Sequence, residues 1–246
     1  MDIRVDLHMH SALSPCADDE MTPGDMIGMA MLKGLDVIAV TDHQSCGNCE
    51  AAINVSRRLR EEGLPAPLVV PGMEAASAEE IHLLCLFASL ETALQFQSVI
   101  DESLLRRENR PDIFGRQLLF DSHDNLSGED SRMLLMPVRL SAQQIASEVG
   151  RLGGACIPAH IDRESNSMLS TFGLIPEDFA VSRLEISWRT DLDTFYRRYP
   201  ALREYPIIRS SDAHCLGDIA EPGWKLSLPD GLLRENWLEA LISSLR

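Results

Sequence analysis

Apolar runs of strand length alternate along the chain with segments of helical period. The first run ends in Asp6-Leu7-His8-Met9-His10-Ser11, where polar and apolar positions alternate as in an extended strand. Residues 37–41 form a short unbroken apolar run, the mark of a strand buried on both faces. The same reasoning predicts strands at 68–71, 81–87, 155–159, 183–188, 206–209 and 224–228. A helix capped by Thr22, with Pro23 at its first position, ends at Gly34, and a second closes at Gly63. Further helices are predicted over 91–107, from the capping box Ser141-Ala142-Gln143-Gln144 to Gly153-Gly154, near 193–203, and over 232–245. Residues 108–140 mix charges with short apolar patches and are expected to form an irregular excursion.

Strands alternating with helices imply a mainly parallel sheet. No repeat, low-complexity run or linker divides the chain, so residues 1–246 are expected to form one barrel-like α/β domain. Composition narrows the class. A formal net charge of −16 over 246 residues repels phosphate backbones and argues against binding long nucleic acid. No apolar run approaches the roughly 20 residues of a membrane span. No basic-then-apolar leader precedes the first strand, so a cytoplasmic location is expected. In that setting the six cysteines are expected to be reduced.

The candidate chemistry gathers at strand ends. On one strand face, His8 and His10 lie about 7 Å apart at ~3.3 Å per residue, close enough to converge on one metal ion. Asp6, on the same face, is placed to orient a ligating histidine. His43, Glu74, His82, His160, Asp212 and His214 also lie in or at the ends of apolar runs. In α/β barrels that edge carries the active site. Imidazole and carboxylate together suit zinc, manganese or iron, and eight such ligands imply two or three divalent ions.

The motifs Asp6-Leu7-His8-Met9-His10-Ser11, Thr41-Asp42-His43, Gly72-Met73-Glu74, Ile81-His82-Leu83-Leu84, Pro158-Ala159-His160 and Ser211-Asp212-Ala213-His214 resemble those of the PHP (polymerase and histidinol phosphatase) family, in family order. The resemblance implies a distorted (β/α)7 TIM-like barrel with a trinuclear metal centre that hydrolyses phosphoesters. It implies one site from His8, His10, Glu74 and Asp212, and a second from His82 and His160 with Glu74 bridging. A third would hold His43, His214 and one residue of the loop after Ser14. Anchoring on Thr22-Pro23 makes that residue Asp18, with Asp19 and Cys16 as the alternatives.

The implied reaction is attack of a metal-bridging hydroxide on a small phosphorylated substrate, most simply a phosphomonoester. Glu74 and Asp212 would hold the ions, and His43 or His214 would protonate the leaving oxygen. Arg163 and Arg209 are the candidate phosphate-binding residues. Cys46 and Cys49 form one C-x-x-C pair and are expected to be packed thiols at a helix start. The rival readings are a short-oligonucleotide exonuclease or phosphodiesterase on the same centre, a C–N hydrolase, and a non-catalytic metal-dependent binding module.

Overall fold

The computed structural model describes residues 1–177, 179, 181–221 and 223–246. Strand and helix alternate through β1 (Asp2–Asp6), α1 (Pro23–Leu32), β2 (Val37–Val40), α2 (Cys49–Glu61) and β3 (Leu68–Ala76). Then come β4 (His82–Leu86), α3 (Leu90–Ser103), α4 (Pro111–Phe114), and the hairpin strands β5 (Leu118–Phe120) and β6 (Leu126–Glu129). The second half holds α5 (Ala142–Arg151), β7 (Ala155–Pro158), α6 (Met168–Phe172), β8 (Leu184–Ser187) and α7 (Leu192–Arg198). It ends with β9 (Ile207–Ser210), β10 (Lys225–Ser227) and α8 (Trp237–Leu245).

Local chemistry sets several of these boundaries. Thr22 Oγ1 accepts the Asp25 N–H at 3.2 Å, and both halves of the Ser141–Gln144 capping box are formed. The helix expected to reach 107 stops at Ser103, because Leu104 turns extended and bridges Val138. Pro200 divides the helix expected over 193–203, and a 3-10 turn takes its second half.

Six strands form a curled half-barrel sheet in the order β10-β1-β2-β3-β4-β7. β1, β2 and β3 are parallel. β4 is antiparallel to both β3 and β7, against the expectation of a parallel neighbour. The link of residues 77–81 explains this: a parallel crossover needs a dozen or more residues. β8 and β9 form a separate parallel pair. This pair touches both sides of the curl: Met9 bridges Ala213, and the Ile161 N–H donates to the Glu185 carbonyl at 2.9 Å.

β2 is buried on both faces, as its sequence predicts. Ile38 and Val40 pack into one apolar layer and Val37 and Ala39 into another, which α8 covers with Leu241, Ile242 and Leu245. The excursion is ordered into α4 and the hairpin, and it braces the loop after β1. The Leu118 N–H donates to the Ala12 carbonyl at 2.8 Å, and Asn48 ties Ser11 Oγ to the Leu118 carbonyl at 2.9 Å each. Gly115, at φ +96°, lies so close to that loop that a Cβ would sit 2.1 Å from the Pro15 carbonyl oxygen.

Candidate metal centre

The parallel strands β1, β2 and β3 bring the segments that follow or end them to one edge. β4 joins them because it runs the other way. Its first residue, His82, pairs with Ala76 at the end of β3, and its carbonyl accepts the Ala159 N–H at 3.0 Å. β3 is longer than expected, so Glu74 lies inside it, bridged to His43.

Glu74 is buried at the middle of the cluster. Its Oε1 lies 2.8 Å from His160 Nε2 and 2.9 Å from His82 Nδ1. Its Oε2 lies 2.9 Å from His43 Nδ1. His8 Nε2 and His10 Nε2 follow at 3.4 and 3.5 Å. Asp212 Oδ1 stands 3.1 Å from His10 Nε2 and 3.3 Å from His8 Nε2. Three groups place their donor atoms within 4.8 Å of one another: His8, His10 and Glu74; His43, Glu74 and His82; and His10, His43 and His214.

These donors fit cations better than they fit each other. His8 Nε2 and His10 Nε2 face one another at 3.1 Å, two ring nitrogens aimed at one space. His160 Nδ1 and Asp212 Oδ1 are buried without an aligned hydrogen bond. Burial would raise the Glu74 carboxyl, but His82, His8 and His43 outweigh it and hold it well below the usual range. Asp212 is lowered in the same way, with His8 and His10 overcoming burial. Burial, with His214 and His43 beside it, drives His10 well below the ordinary imidazole value, leaving its ring a neutral donor. The result is a buried cluster of imidazoles and carboxylates compatible with a multinuclear metal site.

The remaining candidates fall on either side of this cluster. Asp18 is exposed, its backbone N–H donates to the His214 carbonyl at 2.8 Å, and its carboxylate belongs to none of the three groups. Asp19 is exposed and lies 3.7 Å from Arg116. Cys16 keeps surface open to solvent, while burial of the thiol beside Glu74, Asp212 and Asp42 pushes its pKa up to about 12. Arg163 Nη2 lies 2.5 Å from Asp212 Oδ2, and its side chain is 48% exposed. Arg209 instead donates to the carbonyls of Ser187, Trp188 and Thr190 at 3.4, 2.5 and 2.6 Å. Cys46 and Cys49 are buried free thiols against the Gly72 and Val40 carbonyls. His123 is exposed on the hairpin.

Three supporting groups stand behind the donors. Asp6 does not orient a histidine: its oxygens accept the Ser211 and Ala220 N–H groups at 3.0 Å each, fixing the loop that carries Asp212. Ser14 Oγ lies 2.9 Å from His10 Nδ1 and donates to Asp42 Oδ1 at 2.7 Å. Glu185, in β8, lies 3.0 Å from His8 Nδ1. Sequence reasoning passed over Glu185, although an acid inside an apolar run was its available signal.

A family model for the PHP domain matches residues 6–162, more than half of the chain. The chain belongs to the PHP family. Membership in the PHP family supports metal-dependent phosphoester hydrolysis. No curated protein matches the sequence. Solved structures share the fold. The lesion-specific endonuclease PfuEndoQ of Pyrococcus furiosus is 18% identical with a TM-score of 0.65, covering 100% of this chain and 56% of its own. The PHP chain therefore spans little more than half the length of that endonuclease. An Endonuclease Q complex with a 27-mer duplex is 17% identical, with a TM-score of 0.62, and covers 97% of this chain and 57% of its own. A Bifidobacterium adolescentis protein proposed to be a metal-dependent phosphoesterase is 15% identical, with a TM-score of 0.55, covering 91% of this chain and 92% of its own. Among the described residues, no helix is long and apolar enough to cross a membrane.

Proposed function

We propose that this chain hydrolyses small phosphomonoesters at a centre of two or three divalent cations, drawn from zinc, manganese and iron. The observation that carries the reading is the orientation of Glu74, whose two oxygens face different histidines at 2.8–2.9 Å. A carboxylate placed this way suits a bridge. On this reading His8, His10, Glu74 and Asp212 hold one ion, and His82 and His160 with Glu74 hold a second. His43 and His214 hold a third with a residue of the 14–20 loop, Asp18 being our choice. The cations would supply Lewis acidity and a nucleophile at neutral pH.

The chain's own residues do the rest. Arg163, half exposed beside Asp212, can turn a fixed pair of N–H donors toward phosphate oxygens. Arg209 is the weaker candidate, since its Nη2 already serves three carbonyls. His214 is the most open imidazole of the cluster, with 29% of its side chain exposed, and it is where a leaving oxygen collects a proton. The closed barrel belongs to the same reading. The contacts of β8 and β9 with β7 and β1 support a seven-stranded ring whose ladder is interrupted, with residues 1–246 as one catalytic unit.

A surface of net charge −16 favours a small substrate over long nucleic acid. The test is elemental analysis and a phosphate-release panel on one preparation, spanning monoesters, diesters, short oligonucleotides and duplex DNA. More than one transition-metal equivalent with release from monoesters is expected. Metal at background removes the centre, and faster cleavage of oligonucleotides or duplex than of monoesters overturns the substrate class.

A further inference from the structure

Glu185 is a buried carboxylate that takes no place in the donor set, and burying such a charge is costly without partners. Its partners are two members of that set. Both its oxygens lie 3.0 Å from His8 Nδ1, and Oε2 also accepts the His160 backbone N–H at 2.9 Å. His160 needs such a restraint, because its φ of +29° is one that residues other than glycine rarely hold. We propose that Glu185 is the positioning residue of this centre, a single carboxylate that fixes the His8 ring and the His160 backbone together and so couples two ligand positions from outside the donor set. The proposal rests on the metal-centre reading above.

The chemistry differs from that behind the neighbouring ligand. His10 Nδ1 meets a neutral hydroxyl, Ser14 Oγ, which separates it from the Asp42 carboxylate. His8 Nδ1 meets a carboxylate directly. A carboxylate that holds one ring N–H fixes the tautomer and ring orientation and makes the opposite nitrogen a more basic donor to a metal. That opposite nitrogen, His8 Nε2, is the one facing Asp212 and Glu74 at 3.3 and 3.4 Å. Through His160, the same carboxylate also sets the nitrogen that reaches Glu74 Oε1 at 2.8 Å. Glu185 thus mirrors Glu74: one joins the donors from within the cluster, the other from behind it.

The test uses the full chain as wild type, Glu185→Gln and Glu185→Asp. Each is checked for folding by circular dichroism, then titrated with a zinc chelator, and its cobalt-substituted form is examined by visible absorption. A glutamine oxygen at the Oε2 position could still accept from both donors, but the side chain loses its negative charge and turns an NH₂ donor toward His8 Nδ1 in place of Oε1. Folded Glu185→Gln is expected to lose metal to the chelator roughly 10- to 100-fold more readily, with an altered cobalt spectrum. Glu185→Asp, one methylene short of spanning both partners, is expected to fall between. A folded variant of either kind with wild-type chelator competition and the wild-type cobalt spectrum overturns the proposal, and the aspartate keeps the test open should the glutamine variant not fold. Wild-type protein that binds no metal overturns the metal-centre reading instead, a separate outcome.

Discussion

Glu74→Gln gives the sharpest separation of a bridging carboxylate from a merely buried one. The side chains are nearly isosteric, so the nine-residue strand around position 74, buried throughout, should keep its packing. The chemistry changes. Oε1 lies 2.8 Å from His160 and 2.9 Å from His82, whereas Oε2 lies 2.9 Å from His43. A glutamine keeps one of these oxygens and replaces the other with an NH₂ group, which donates hydrogen bonds and cannot ligate a cation. Whichever way the amide is turned, one set of histidines loses its carboxylate oxygen. Losing even an outer-shell partner of a metal ligand costs roughly 10- to 100-fold in affinity, so losing a ligand oxygen should weaken one ion by at least that much. The other ion keeps an oxygen but loses the negative charge. Turnover that needs both should fall to near background. The assay is metal content after dialysis, together with phosphate release and a circular dichroism control. A folded variant with full metal load and full rate would refute the bridging assignment.

Arg163→Ala should retain its metals and raise KM, or lower kcat/KM, by roughly 10- to 150-fold through loss of a charge-assisted phosphate contact. Wild-type kinetics would show that the phosphate is held elsewhere. Gly115→Ala should lower stability by about 1–3 kcal/mol, because its φ of +96° and the nearby Pro15 carbonyl leave no room for a side chain. An unchanged Tm would show that the excursion does not brace the loop after β1. Replacing Cys46 and Cys49 together with serine should leave metal content and rate within a few-fold, since both thiols face backbone carbonyls. Loss of a metal equivalent, or an iron–sulfur absorption band in the wild type, would contradict this.

The strands and helices that stand alone were legible in the sequence because their signals are local. The unbroken apolar run of β2, the Thr22 cap and the Ser141 capping box each depend on a few neighbouring residues. The strand-end histidines and Glu74 were legible for the same reason, as polar residues closing or interrupting apolar runs. What depends on distant pairing was harder to read. The reversal of β4 was hidden in the brevity of one link. Asp6 stands beside His8 in sequence, yet its oxygens serve Ser211 and Ala220 from the other end of the chain. Glu185 is separated from His8 by 177 residues, so nothing in the periodicity of either strand joins them. Residues 108–140 showed no period because their short elements are ordered by contact with the loop after β1.

The bridge between Met9 and Ala213 also has a consequence for the order in which the protein is made. The Ser211 hydroxyl reaches the His8 carbonyl across 203 residues of chain. At roughly 5–20 residues per second of synthesis, about 10–40 s pass between the appearance of His8 and that of its neighbours on this loop. Throughout that interval His8, His10 and then His43 are present without Asp212 and without the loop that Asp6 fixes. The full donor set therefore forms late, when β9 docks against β1, and contacts of such long sequence separation form slowly. On the metal-centre reading, a cation would therefore meet the complete donor set only at the close of folding, although His8, His10, His43, Glu74 and His82 are all made well before Asp212.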